Sequence, residues 1–290
     1  MPRRWLVYLR ESFSPLPHAA FAALWYVAAW ASVQGHPRPG LGLALGIGHA
    51  FFMLLALRVV DDLKDLEHDR RHHPSRPLAS GRVSVRDARA LLVLAGALLA
   101  AIDGVLGPLF VAVAAADIGL AIVIALAKPR SWLVEVVAVQ PLNMLITLHA
   151  YLAGLRDGGA APRPEDLAVF VFFSAAILQL EVARKTAFEP RPGEELYSEL
   201  AGPGGALVGA FALAASAACA LAFRRAPTWW VVVGLLVYAN LLVVARLTKV
   251  RAVLVAAGLA FLAASEVQLA RPSAREAPLE LSLAHRGDAR

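Results

Sequence analysis

The sequence predicts an all-α, polytopic membrane protein with nine transmembrane helices around one central cavity. Three observations carry that reading. Of the 290 residues, 59% are hydrophobic and only 17% are charged, whereas soluble chains carry about a quarter charged residues. The mean hydropathy is +0.61. Apolar runs recur along almost the whole chain, and they are continuous rather than alternating, which selects helices over membrane strands.

Nine runs follow in order, each near the ~20 residues that a helix needs to cross hydrocarbon. Leu16–Gln34 and Leu41–Val60 lead into a charged stretch that starts at Asp61. Ala88–Leu106 and Leu109–Ala127 lead to Lys128 and Arg130. Trp132–Leu152 and Leu167–Val182 lead to Arg184, Lys185 and Arg191. Ala206–Phe223 and Trp229–Val244 lead to Arg246, Lys249 and Arg251, and Ala252–Leu269 leads to a polar tail. The two charged loops after the second and sixth spans lie four helices apart, as two parallel four-helix halves facing one cavity would place them.

Basic residues choose the orientation. With the N-terminus in the cytoplasm, 19 lysines and arginines fall inside and 9 outside, the bias of a multi-pass protein of the cell membrane. Both charged loops are then cytoplasmic. The expected organisation is one transmembrane domain over residues 1–270 and a polar tail over 271–290.

No cleavable signal peptide is expected, because MPRRWLVYLRESFSPLPHAA has no short apolar core ending in a small-residue site. The single cysteine, Cys219, excludes an intrachain disulfide, and its apolar segment is read as burying the thiol. Gln140, Asn143 and His149 fall near one stripe of the fifth span, where polar groups touch a substrate or, more commonly, bond neighbouring helices. Asp117 and Glu266 are costly inside a bilayer and need partners.

The least membrane-like stretch is VVDDLKDLEHDRRHHPSRPLASG, residues 59–81. If the second helix continues past Val60, Asp62, Asp65 and Asp69 stand at i, i+3 and i+7 on one face, with Asp61 close by. Carboxylates this close repel unless a cation sits among them. Oxygen ligands from two or three of them, completed by water and phosphate, suit Mg2+. A diphosphate bridged by that metal is the natural content of such a site. The competing arrangement pairs the acids with Arg58, Lys64, Arg70 and Arg71 and leaves a solvated helix end. The position at a membrane edge, where ionisable groups are usually functional, favours the metal.

The stretch Asp61-Asp62-x-x-Asp65-x-x-x-Asp69 is similar to the first aspartate-rich motif, N-D-x-x-D-x-x-x-D, of the UbiA superfamily of intramembrane prenyltransferases. RHHPSRPLASG resembles the tail of that motif. The second charged stretch, EVARKTAFEPRPGEELYS, resembles the family's Y-x-x-x-K-D-x-x-D-x-x-G-D with departures: Lys185 matches the lysine, Thr186 stands at the first aspartate, and Glu189 and Glu194 replace later acids. LAKPRSW resembles a lysine-arginine pair at the same place in the family.

The resemblance implies a Mg2+-dependent integral-membrane prenyltransferase. It would move an isoprenoid group from a prenyl diphosphate to a small aromatic or lipid-like acceptor within the lipid bilayer, with no nucleic acid as partner. On this resemblance Asp61, Asp62, Asp65, Asp69 and Glu189 are metal ligands, and Asp62, Asp65 and Lys185 are catalytic. Arg76, Lys128, Arg184 and Lys185 cradle the diphosphate. Two alternatives stay open at this level: a membrane terpene cyclase of the same family, and an isoprenoid-binding membrane protein without catalysis.

Overall fold

The computed structural model describes residues 2–34, 39–127, 132–189, 196–224, 237–242, 245–246 and 251–270, and every regular element among them is helical. A short helix, α1 (Pro2–Tyr8), runs into a five-residue π-helical turn, Leu9–Phe13. Ser14 then turns the chain at φ 44°, a left-handed conformation that is uncommon for a residue with a Cβ. Pro15 starts α2 (Pro15–Ser32) at the position where a missing N–H costs least. The turn frees α1 to lie at the ends of later helices instead of extending α2.

The remaining helices are α3 (Leu41–Lys64), α4 (Leu66–His72), α5 (Val85–Leu106), α6 (Pro108–Ala127), α7 (Trp132–Gly158), α8 (Leu167–Arg184), α9 (Tyr197–Arg224) and α10 (Arg251–Ala270). α9 is kinked at Gly202 and Pro203. α3 packs against α2, α5, α6 and α7, while α10 packs against α2 and α8 and so brings the end of the chain back to its start. The side chain of Gln179 in α8 donates to the Tyr238 hydroxyl, which ties helical residues 237–242 to the same bundle.

Among the described residues, five helical stretches are long and apolar enough to cross a membrane: Leu41–Lys64, Val85–Leu106, Pro108–Ala127, Pro164–Arg184 and Gly202–Phe223. Helices also occupy the first, fifth and ninth expected spans. Most of the eighth, at 229–244, and all of the tail lie outside the described residues.

Two expectations are corrected. The fifth helix does not end near Leu152 but continues to Gly158, past the charged pair that stopped the hydropathy reading. Both charges are satisfied within the bundle: Asp157 accepts from the Trp30 indole at 3.0 Å, and Arg156 donates to the Leu106 carbonyl at 3.0 Å. Cys219, expected to be buried, is exposed on α9. The lipid-facing and core-facing sides of a membrane helix are equally apolar, so hydropathy does not separate them.

Hydrogen bonds hold α2 to α7. Trp25 donates to Thr147 at 3.1 Å, the Tyr26 hydroxyl meets His149 Nδ1 at 3.0 Å, and Trp30 takes Asp157. Gly154 of α7 allows this approach, and Gly46 of α3 allows that helix to close on α2 in the same way. A Cβ on Gly154 would stand 2.3 Å from the Trp30 carbonyl oxygen, and one on Gly46 would stand 2.1 Å from the Tyr26 ring.

Candidate active site

The expected helix through the aspartates forms, with one break. α3 ends at Lys64 and Asp65 sits at φ −89°, ψ 4°, the bridge region between helix and turn. The i to i+4 bonds nevertheless continue, from Asp65 N–H to the Asp61 carbonyl and from Asp69 N–H to the Asp65 carbonyl, both 2.9 Å. Asp62 and Asp69, seven residues apart, are therefore both turned inward and buried, Asp65 is half-buried, and Asp61 is exposed.

Each aspartate has a defined neighbour. Asp62 Oδ1 pairs with Arg58 Nη2 at 2.8 Å, and its Oδ2 accepts from the Tyr8 hydroxyl at 2.8 Å. Lys64 Nζ lies 3.1 Å from Asp61 and 3.6 Å from Asp65. Arg76 Nη1 reaches both oxygens of Asp69, at 2.7 and 2.8 Å. Burial, and then the charge of Asp62, push the Tyr8 hydroxyl far above its ordinary range, so it remains a donor.

The N-terminal segment is fastened over these acids. Arg4 and the Trp5 indole bond Asp87 and its carbonyl, each at 3.0 Å, at the start of α5. Asp87 also closes a capping box with Ser84. Arg82 grips Glu11 through two bonds of 2.6 and 2.7 Å and donates a third, of 2.6 Å, to the Ser75 carbonyl. That clamp joins the π-helical turn to the loop between α4 and α5, and Arg82 holds the Glu11 carboxyl below its usual range.

The second charged stretch begins where α8 stops. Glu181 takes two bonds from Arg184, 2.9 and 2.8 Å, and lies 3.5 Å from Lys185 Nζ. Arg184 is also within electrostatic reach of Asp61, and Arg76 within reach of Asp62. The end of α8 thus lies within electrostatic range of the end of α3, while Arg184 itself pairs with Glu181 of its own helix. Thr186, at the family's aspartate position, is fully buried and donates to its own helix at the Val182 carbonyl, 2.7 Å away. Glu189 is exposed. Lys128, Arg130, Arg191 and Glu194 lie outside the described residues, as do the side chains of Glu135 and Glu266.

The model of the UbiA prenyltransferase family matches residues 19–279, which is most of the chain. The chain belongs to the UbiA prenyltransferase family. Solved structures share the fold of this UbiA family member. A digeranylgeranylglyceryl phosphate synthase superposes with a TM-score of 0.62 at 14% identity, covering 92% of this chain and 97% of that one. A UbiA homologue from Aeropyrum pernix K1 gives 0.60 at 20% identity, covering 88% and 96%. A UbiA homologue from Archaeoglobus fulgidus, bound to DMAPP and Mg2+, gives 0.59 at 21% identity, covering 88% and 98%. No curated protein matches.

Sequence reasoning missed Tyr8 as a partner of Asp62 and treated Arg58 only as a neutralising charge. Arg58 was accessible in principle, as the residue one turn before Asp62. Tyr8 carried no signal.

A second polar cluster lies deeper. Asp103 of α5 accepts from His49 Nδ1 of α3 at 2.9 Å and from His149 Nε2 of α7 at 3.0 Å, with Tyr26 on the far side of His149. All three are fully buried, and their ligand atoms lie within 4.8 Å of one another. The two imidazoles are stacked 3.6 Å apart at 16°. Nitrogen lone pairs lie in the ring planes, so rings stacked this nearly parallel do not aim at one shared ion. The arrangement suits hydrogen bonds to Asp103, and its nitrogen donors do not suit Mg2+. Asp61, Asp62, Asp65 and Asp69 offer the carboxylate oxygens that Mg2+ prefers, but they stand in separate pairs with Arg58, Lys64 and Arg76 and do not converge as the His49–Asp103–His149 group does.

Proposed function

We propose that this protein transfers an isoprenoid group from a prenyl diphosphate to a small acceptor, with Mg2+ held by Asp62, Asp65, Asp61 and Asp69. One observation carries the reading: four aspartates follow one another along the end of α3 and into α4, two of them buried, within electrostatic reach of Arg184 at the end of α8. Membership of the family supports it. So does the Archaeoglobus fulgidus homologue, which shares this fold and binds DMAPP with Mg2+. The nine spans, the central cavity, the cytoplasmic placement of the N-terminus and of both charged loops, and the single domain over 1–270 belong to the same reading, on the positive-inside count.

The divalent ion, when bound, would supply positive charge to the diphosphate leaving group. The chain's own residues do the rest. Arg76, Lys128, Arg184 and Lys185 neutralise the leaving diphosphate, which is the main electrostatic contribution as the C–O bond breaks. Apolar helices hold the isoprenoid tail and exclude the water that would quench an allylic cation. Asp62, Asp65 and Lys185 are the catalytic residues. Glu189 completes the metal set only if it turns inward from its exposed position.

Thr186 favours one ion rather than two, because its side chain is committed to the Val182 carbonyl and offers no carboxylate. Arg184 and Lys185 stand in for the missing charge.

The test is incubation of purified protein with geranyl, farnesyl and geranylgeranyl diphosphates and lipid extract, with and without Mg2+. The expected result is Mg2+-dependent diphosphate release with a prenylated acceptor. A cyclic hydrocarbon or alcohol released without acceptor would make the protein a cyclase, and no release with any chain length would leave an isoprenoid-binding protein.

A further inference from the structure

The aspartates are already balanced from within. Arg58 pairs with Asp62, Lys64 spans Asp61 and Asp65, and Arg76 holds Asp69. The two inward carboxylates have both oxygens engaged: those of Asp62 by Arg58 and Tyr8, those of Asp69 by Arg76 alone. A divalent cation arriving by itself meets three resident cations and must displace them with nothing to receive them. Like charges at a few ångströms oppose that strongly, because partial burial limits screening.

A metal diphosphate solves both halves of the problem. The ion takes the carboxylates while the phosphate oxygens take the displaced cations. Arg58 is equipped for this. It pairs with Asp62 through Nη2, and its Nε is buried with no hydrogen-bond partner. A guanidinium offers several donors in a fork that matches phosphate oxygens, so Arg58 has donor capacity that its present partner does not use.

We infer that Arg58 and Lys64 are diphosphate ligands, and that ion and diphosphate enter as one unit by exchanging partners with the Asp62–Arg58 and Lys64–Asp61/Asp65 pairs. The inference rests on the function proposed above and adds to it an order of binding. Free Mg2+ binds poorly, and diphosphate and Mg2+ strengthen each other.

Isothermal titration of the full chain in detergent tests this with two probes, MgCl2 alone and inorganic pyrophosphate at fixed Mg2+. The proteins are the wild type, Arg58→Gln and Lys64→Gln. Loss of one resident cation should tighten Mg2+ alone on the order of tenfold and weaken pyrophosphate by a similar factor. Those opposite signs are diagnostic, since damage to the fold would weaken both. Arg58→Lys should restore part of each effect. If Arg58→Gln does not fold, as judged by circular dichroism and gel filtration, Lys64→Gln decides alone. Unchanged affinities, or changes of the same sign, overturn the exchange. Absence of pyrophosphate binding in every form would instead count against the proposed function, while the response to Mg2+ alone would still judge the resident cations.

Discussion

The hydroxyl of Tyr8 donates a 2.8 Å hydrogen bond to Asp62, 54 residues further along the chain. One bond thereby fixes the N-terminal helix to one of the two buried aspartates of the site. It sets the rotamer of a carboxylate that would otherwise be free to turn toward Arg58 alone.

Removing that bond should be felt in stability and in metal binding together. Tyr8→Phe keeps the ring, which is fully buried, and leaves one carboxylate oxygen without its donor. A buried bond to a charged group is worth about 1.5–3 kcal/mol. Denaturant unfolding in detergent should show a loss in that range, with half-saturation by Mg2+ at higher concentration in the diphosphate-release assay.

The ligand assignment makes a sharper demand. Asp62→Ala and Asp65→Ala should each lower Mg2+-dependent diphosphate release per folded molecule by about 100-fold or more, with Asp62→Ala also destabilising the protein because it strands Tyr8 and Arg58. Full activity in both variants would remove these residues from the site.

Thr186 offers a reversal. Its hydroxyl donates to the Val182 carbonyl, a bond that an ionised carboxylate cannot make. Thr186→Asp should therefore destabilise the protein by about 1–3 kcal/mol in chelator. Mg2+ with pyrophosphate should recover part of the loss, which parallel melts with and without the pair would show. No recovery means that this position faces no metal.

The deep cluster should behave as structure rather than chemistry. Asp103→Ala strands the N–H groups of His49 and His149 in a dry interior, at a cost of about 3–5 kcal/mol. His49 lies 13 residues before Asp62 on the same helix, roughly 20 Å at 1.5 Å per residue. Activity per folded molecule should consequently hold. A proportionate loss of turnover in the folded fraction would place the cluster in the reaction.

The clamp between Glu11 and Arg82 carries a pH dependence. Its hydrogen bonds lower the Glu11 pKa, so the folded state binds that proton less readily than the unfolded chain. The stabilisation is present above the ordinary glutamate value of 4.5 and disappears as pH falls through the folded value below it. Glu11→Gln should melt lower than wild type at neutral pH, with the gap closing in acid. Salt should shrink the gap as well, because both groups are exposed.

How much of this was legible depended on the range of the interaction. The aspartates announced themselves because Asp61, Asp62, Asp65 and Asp69 are close neighbours in the chain, where helical spacing predicts a shared face that the break at Asp65 interrupts without ending the i to i+4 bonds. Arg58 lay one turn away and could have been paired by the same rule. The continuation of α7 past Arg156 was hidden because both charges find partners on other helices, Trp30 and Leu106. The exposure of Cys219 was hidden because bilayer and core are equally apolar.

By itself the sequence determined that the chain is helical and built for a membrane, where its charged loops fall, and which acids form the motif. These follow from hydropathy and spacing, which act over a few turns of helix. The tertiary structure decided that Tyr8 meets Asp62 and that Asp103 joins two histidines. Each of those depends on how helices distant in sequence rotate and pack against one another, and side-chain packing sets that rotation without leaving a local pattern in the chain.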